Sequence, residues 1–122
     1  MTFPRINTKT TNITVTPALE ALLIQKFEPL GRLLDDRVES WCEVELEKIA
    51  EHQSGRIYRA EVNLSMGGKL FRTEATEDQI EKAIDEARNE LKNELLRDHG
   101  RRQSLWKRGA RTIKRILKFG DE

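Results

Sequence analysis

The chain is poor in the residues that catalysis, metal binding and secretion use. It has one cysteine, Cys42, two histidines, three prolines and only 6% aromatic residues. A single cysteine excludes an internal disulfide and fits a reducing, cytoplasmic setting. His52 and His99 are far apart in sequence, and neither is spaced to share a metal with Cys42. No stretch approaches the roughly 20 apolar residues of a membrane span. The opening MTFPRINTKT lacks the basic cluster and apolar run of a secretory signal, so none is expected. No nucleophile–base or acid–base pair assembles with any specificity, which argues against an enzyme, a cofactor or a small-molecule substrate. An excess of charge of one sign is missing too: 22 Lys+Arg stand against 21 Asp+Glu, a net of +1.

That near-neutrality hides a division. Residues 1–100 hold 14 basic and 19 acidic side chains, a net of −5, while residues 101–122 hold 8 basic and 2 acidic, a net of +6. The expected organisation is one domain over 1–100 and a basic amphipathic tail over 101–122, the length supporting a single modest core.

Periodicity orders the domain. Phe3 and Ile6 suit a short first strand, with Pro4 keeping it at an edge, and Thr10, Thr11 and Asn12 read as a polar connection. Thr16 as cap, Pro17 at the first position and Glu20 in the first turn predict a helix start. Leu19, Leu22-Leu23, Phe27 and Leu30 carry its apolar stripe, and Pro29 ends its regular part near Phe27. Over Val38–Ile49, Val38, Ser40, Cys42, Val44 and Leu46 alternate with Glu39, Trp41, Glu43, Glu45 and Glu47, predicting a half-buried strand with one acidic face.

Glu51–Gly55 reads as a turn, and Arg56–Met66 alternates again. Gly67-Gly68 marks a two-residue hairpin, and Lys69–Thr76 returns with Phe71, Thr73 and Ala75 inward. Thr76 and Gln79 have capping-box spacing for a second helix, whose buried stripe is Ile80, Ala83-Ile84, Ala87, Leu91 and Leu95. This helix is expected to run to about Asp98, with Gly100 as its stop. The fold class is therefore α+β, in the order β-α-β-β-β-α. Its sheet is four-stranded and mostly antiparallel, with both helices on one face and the other face wet.

Three local patterns have plain structural readings. Gly67-Gly68-Lys69 lacks phosphate-loop spacing and precedes a strand, so a turn explains it. Glu43, Glu45 and Glu47 on one strand face resemble a cation site, but a solvated face offset by Arg56 or Arg59 accounts for them. Cys42 falls on the inward face as a small hydrophobe.

The tail is different. Leu105, Trp106, Ile113, Ile116, Leu117 and Phe119 interleave with Lys107, Arg108, Arg111, Lys114, Arg115 and Lys118, a pattern for a separate third helix weakened at Gly109. Eight cations without an acid from Arg101 to Gly120 suit a phosphate backbone, and Trp106 suits stacking on a base. The same pattern also fits an anionic membrane, an acidic protein surface or the chain's own acidic body.

Several strings, taken in order, resemble the short form of the ribosome hibernation-promoting factors, also called ribosome-associated inhibitor A proteins. They are Ile6-Asn7-Thr8, Asn12-Ile13-Thr14-Val15-Thr16-Pro17-Ala18-Leu19, Lys26-Phe27 with Leu30, the Gly67-Gly68 hairpin, and Ala83-Ile84-Asp85 with Leu91 and Leu95. The likeness covers about residues 3–102 and rests on order and spacing. It implies a domain similar to double-stranded RNA-binding domains. It also implies a non-enzymatic protein without cofactor or metal that occupies the tRNA and mRNA channel of the small ribosomal subunit. There it contacts ribosomal RNA and blocks translation under stress, and off the ribosome it is expected to be monomeric.

Lys26 matches the family's basic position on the first helix, Arg97 one late on the second, and Arg101 and Arg102 extend that end. The usual tyrosine is Glu81, and two usually basic positions are Glu90 and Asn93. Arg88 and Lys92 present charge at other angles. The RNA-binding set is thus Lys26, Arg88, Lys92, Arg97, Arg101 and Arg102, joined by Lys107, Arg108, Arg111, Lys114 and Arg115 of the tail. The alternative function is a protein- or membrane-surface adaptor whose tail is the binding element.

Overall fold

The computed structural model describes residues 2–49 and 55–120, with side chains as far as Arg115. Residues 51–54 of the turn expected over Glu51–Gly55, with His52, lie outside the described residues. The elements are β1 (Ile6–Thr11), α1 (Pro17–Phe27), a 3-10 turn (Glu28–Leu33), β2 (Ser40–Lys48), β3 (Tyr58–Met66), β4 (Lys69–Glu77) and α2 (Ile80–Gly120).

The four strands form one sheet in the order β1-β2-β3-β4. β2, β3 and β4 pair antiparallel, as the two hairpin signals require, while β1 runs parallel to β2 with Ile6 opposite Cys42. A parallel pair needs a crossover, and α1 with the 3-10 turn supplies it. Both helices lie on one face. Their buried Leu23, Phe27, Ala83, Ile84, Ala87, Leu91 and Leu95 meet the inward strand residues Cys42, Val44, Leu46, Ala60, Val62 and Leu64 in one core. Phe3 closes its edge, with its ring 5.7 Å from that of Phe27.

Local chemistry sets the element ends. The Leu19 amide donates to Thr16 Oγ1 at 3.1 Å, the expected cap. The helix gives way to a 3-10 turn from Glu28, where Pro29 removes a donor. Gly67 and Gly68 both take positive φ, +57° and +86°, and join β3 to β4 by the expected two-residue turn.

Three boundaries differ from the sequence reading. The first strand runs to Thr11, because Thr10 and Thr11 pair with Leu46 and Glu47. The second helix starts at Ile80, not after Thr76. Thr76 belongs to β4, opposite Arg59, so the sheet ladder takes the backbone a capping box would have used. The largest difference is at Gly100, where no stop occurs. Gly100 and Gly109 keep helical geometry, and α2 continues as one helix of 41 residues. The tail is an extension of α2 and not a separate helix.

Candidate nucleic-acid interface

The basic side chains singled out from the sequence fall into four settings. The first is the seam between α1 and α2. Lys26 Nζ lies 2.9 Å from Asp85 Oδ1, and Arg88 Nε donates to the Lys26 carbonyl at 3.0 Å. Arg88 Nη1 also donates to Asn89 Oδ1 at 3.1 Å. These residues, with Gln25 and Pro29, line a shallow depression, and Lys92 stands half-buried one turn beyond Arg88. The seam brings Lys26, Arg88 and Lys92 together although 66 positions separate the first from the last. Asp85 offsets one of these three charges, so this is a mixed, hydrogen-bonding surface.

The second setting is the opposite flank of α2. Arg97 and Arg101, one turn apart and exposed, line a depression with Lys69, Leu70, Phe71 and Glu94 beside β4. The third setting is inward. Arg102 Nε donates to Asp98 Oδ2 at 2.8 Å, and its Nη2 donates to the Leu33 carbonyl at 2.7 Å. Lys69 Nζ donates to the other Asp98 oxygen at 2.7 Å. Arg101 and Arg102 are neighbours in sequence, but the helix turns one to solvent and commits the other to holding α2 against the body. Burial pushes the Asp98 carboxyl up, yet the donors from Lys69 and Arg102 outweigh it, and the group stays below the usual carboxylate range.

The fourth setting is the projecting part of α2. Residues 103–115 are exposed throughout, including Lys107, Arg108, Arg111, Lys114 and Arg115. At 1.5 Å per residue, Gln103–Gly120 extends roughly 27 Å past the last contact with the body.

The outer face of the sheet has the opposite character. Glu45, Glu61 and Glu74 share one cross-strand row. Arg59 sits among Glu47 at 3.6 Å, Glu74 at 3.0 Å and Glu61, while Arg72 reaches Glu61 at 2.8 Å. Arg59, expected to offset the strand acids, thus stands among them, and Lys9 pairs with Glu43 at 3.3 Å. The hydrogen bond donated by Arg59 holds Glu74 below its ordinary range. At Glu61 burial acts in the other direction, but the bonds from Asn63, Arg59 and Arg72 prevail. Among the described residues no cluster of His, Cys, Asp or Glu is arranged to hold a metal. Burial, with the charge of Glu43 beside it, pushes the Cys42 thiol up to about 12, leaving it protonated and unreactive at neutral pH. No described helix is long and apolar enough to cross a membrane.

The family model for "Sigma 54 modulation protein / S30EA ribosomal protein" matches residues 6–103. No curated protein matches. Among solved structures the chain is similar to the N-terminal domain of Thermus thermophilus Protein Y, at 27% identity and a TM-score of 0.60, covering 75% of this chain and 93% of that one. A ribosomal subunit interface protein from Coxiella burnetii shares the fold at 18% identity and a TM-score of 0.60, covering 78% of this chain and 97% of that one. The matched region ends at residue 103, where α2 leaves the body.

Proposed function

The chain belongs to the sigma 54 modulation / S30EA ribosomal protein family, and from that premise we propose that it binds the ribosome and inhibits translation. On this reading it occupies the tRNA and mRNA channel of the small subunit without catalysing a reaction. The mechanism is occlusion. A rigid domain that fits the channel and neutralises phosphates competes with tRNA and mRNA, and needs no bond to form or break. Lys26, Arg88 and Lys92 at the helix seam, with Arg97 and Arg101 on the other flank, are the proposed contacts of the body. Arg102 acts beneath them by fixing the direction of α2.

The observation that carries this reading furthest is the charge arrangement. The acidic sheet face points away from the helices, and α2 continues into a segment with no carboxylate between His99 and Gly120. We assign Lys107, Arg108, Arg111, Lys114 and Arg115 to phosphate contacts that supplement those of the body, whose second helix carries Glu90 and Asn93 where the family resemblance implies cations. Each neutralised phosphate contributes slightly less than one unit to the dependence of log affinity on log salt. Deleting residues 103–122 is expected to weaken ribosome cosedimentation and to flatten that dependence by about 3–5 units. Unchanged affinity and slope would remove the tail from the interface. Absence of the full chain from ribosomal fractions, in growth and starvation alike, would defeat the ribosomal reading itself.

A further inference from the structure

The sheet has two edges, and they differ. β4 lies beside α2, with the cations Arg97 and Arg101 along it. β1 bonds to β2 on one side only, and among the described residues no backbone group of Ile6–Thr11 bonds to anything beyond that pairing. Successive residues of a strand turn their N–H and C=O alternately to one neighbour and the other, so alternate residues of β1 present an unpaired row. A groove of about 390 Å³ runs between this edge and α1. Phe3, Ile6 and Leu23 supply apolar surface inside it, and Ile24, 60% exposed, stands on its helix wall. Glu20, Ile24 and Glu28 follow at intervals of four residues and form one line along that wall. An adjoining depression lined by Arg5, Ile6, Asn7, Thr8 and Glu20 carries the groove on along the strand. Lys26 stands about 200° round the helix from Ile24, so the groove and the basic seam lie on opposite flanks of α1.

We propose that this groove binds an extended segment of a protein partner. The segment adds to the sheet as a further strand beside β1, and carries apolar side chains at alternate positions and at least one Lys or Arg. The free edge sets the backbone, because an extended chain presents its amides and carbonyls at the spacing of the unpaired row. The groove sets the apolar side chains. Every second residue of an added strand points to the helix side, over Ile6 and Leu23 and against Ile24. The rim sets the charge. Glu20 and Glu28 are exposed, and Arg5 offsets only one of them, so the rim is net acidic. It repels a phosphate backbone or an anionic bilayer and attracts a cation. A second copy of this chain fits poorly. Its β1 brings one apolar residue, Ile6, followed on the same face by Thr8 and Thr10. Pairing β1 with β1 also sets the two α1 helices side by side, Glu20 and Glu28 of one against those of the other.

The site stands apart from the ribosomal reading, and its test contains no ribosome. The full chain is panned against a phage-displayed library of random peptides about twelve residues long, enough to span the strand edge. Enriched sequences are expected to alternate apolar residues and to carry Lys or Arg. Amide NMR shifts on adding one such synthetic peptide are expected to fall on β1 and on Glu20–Glu28, and not on β4 or along Arg88–Lys92. Ile24→Ser, and the double variant Glu20→Gln, Glu28→Gln, change only exposed positions, and circular dichroism checks their fold. Each is expected to weaken the peptide at least about fivefold. N-methylation of one alternate set of peptide amides, those facing β1, is expected to abolish binding, and methylation of the other set to leave it intact. No enriched sequence, enrichment of acidic sequences, shifts away from β1, or an affinity indifferent to both variants would overturn the proposal. Equal effects of the two methylations would overturn it too, since the peptide would then not be an added strand. So would a dimer in sedimentation equilibrium that Ile24→Ser dissolves, because a second copy would then be the occupant.

Discussion

Asp98 shows how one side chain decides a larger feature. It is buried and ionised, with Lys69 on one oxygen and Arg102 on the other. Its pKa in the folded chain lies below the ordinary carboxylate value of 3.8. Its contribution to stability is therefore fully present above that value and is lost as pH falls through the lowered one. Arg102→Ala removes the bond to Asp98 and leaves the Leu33 carbonyl without that donor, an expected loss of about 2 kcal/mol at neutral pH. Asp98 then titrates at higher pH, so acid unfolding of the variant should begin earlier. Urea melts across a pH series check both expectations. Arg102 was legible as a cation near a basic run. Its inward role was not, because the Leu33 carbonyl comes from an element 69 positions away.

At the scale of elements, glycine separates what local rules can and cannot decide. Gly67 and Gly68 were legible as a turn because their neighbours alternate on both sides and no competing structure uses them. Gly67 holds φ +57°, and a Cβ there would stand 2.9 Å from Val38. Gly67→Ala is expected to destabilise the chain by about 2 kcal/mol. Gly100 looks like an equally good stop, but a glycine ends a helix only by adopting positive φ, and Gly100 does not. The Asp98–Arg102 pair spans the turn that contains it, and such tertiary anchoring outweighs the roughly 1 kcal/mol that glycine costs within a helix. A Cβ at Gly100 meets nothing within 4 Å, so Gly100→Ala should stabilise by up to about 1 kcal/mol. Thermal and denaturant melts of the two alanine variants should move in opposite directions. Thr76 illustrates the same competition, since pairing with β3 displaced the helix start its side chain could have made.

For the whole molecule the relevant quantity is how charge and apolar surface are distributed about one long helix. The first half of α2 buries its stripe in the core, and the second half carries stripe and cations into solvent. Side chains 103–115 are exposed, so the projection adds little to the fold of the body. Deletion of residues 103–122 should therefore leave the melting temperature within about 3 °C of the full chain, read by calorimetry, even where it weakens ribosome binding. A much larger drop would mean that the projection supports the body.

The sequence by itself determined the order of the strands and of the two helices, the inward faces of β2 and β4, and the segregation of charge. Each of these depends on residues close together in the chain: alternation at period two, a stripe at period 3.6, a cap, a turn or a run of cations. Three things were decided only in three dimensions. The parallel pairing of β1 with β2 depends on where the crossover delivers the chain. The assembly of Lys26 with Arg88 and Lys92 depends on two helices sharing one sheet face. The passage of α2 through Gly100 depends on a buried carboxylate anchored by Lys69 of β4 and by Arg102, which also ties the helix to Leu33. Each contact joins residues that are remote in sequence. Its energy therefore exists only once the chain has folded, and no local pattern records it.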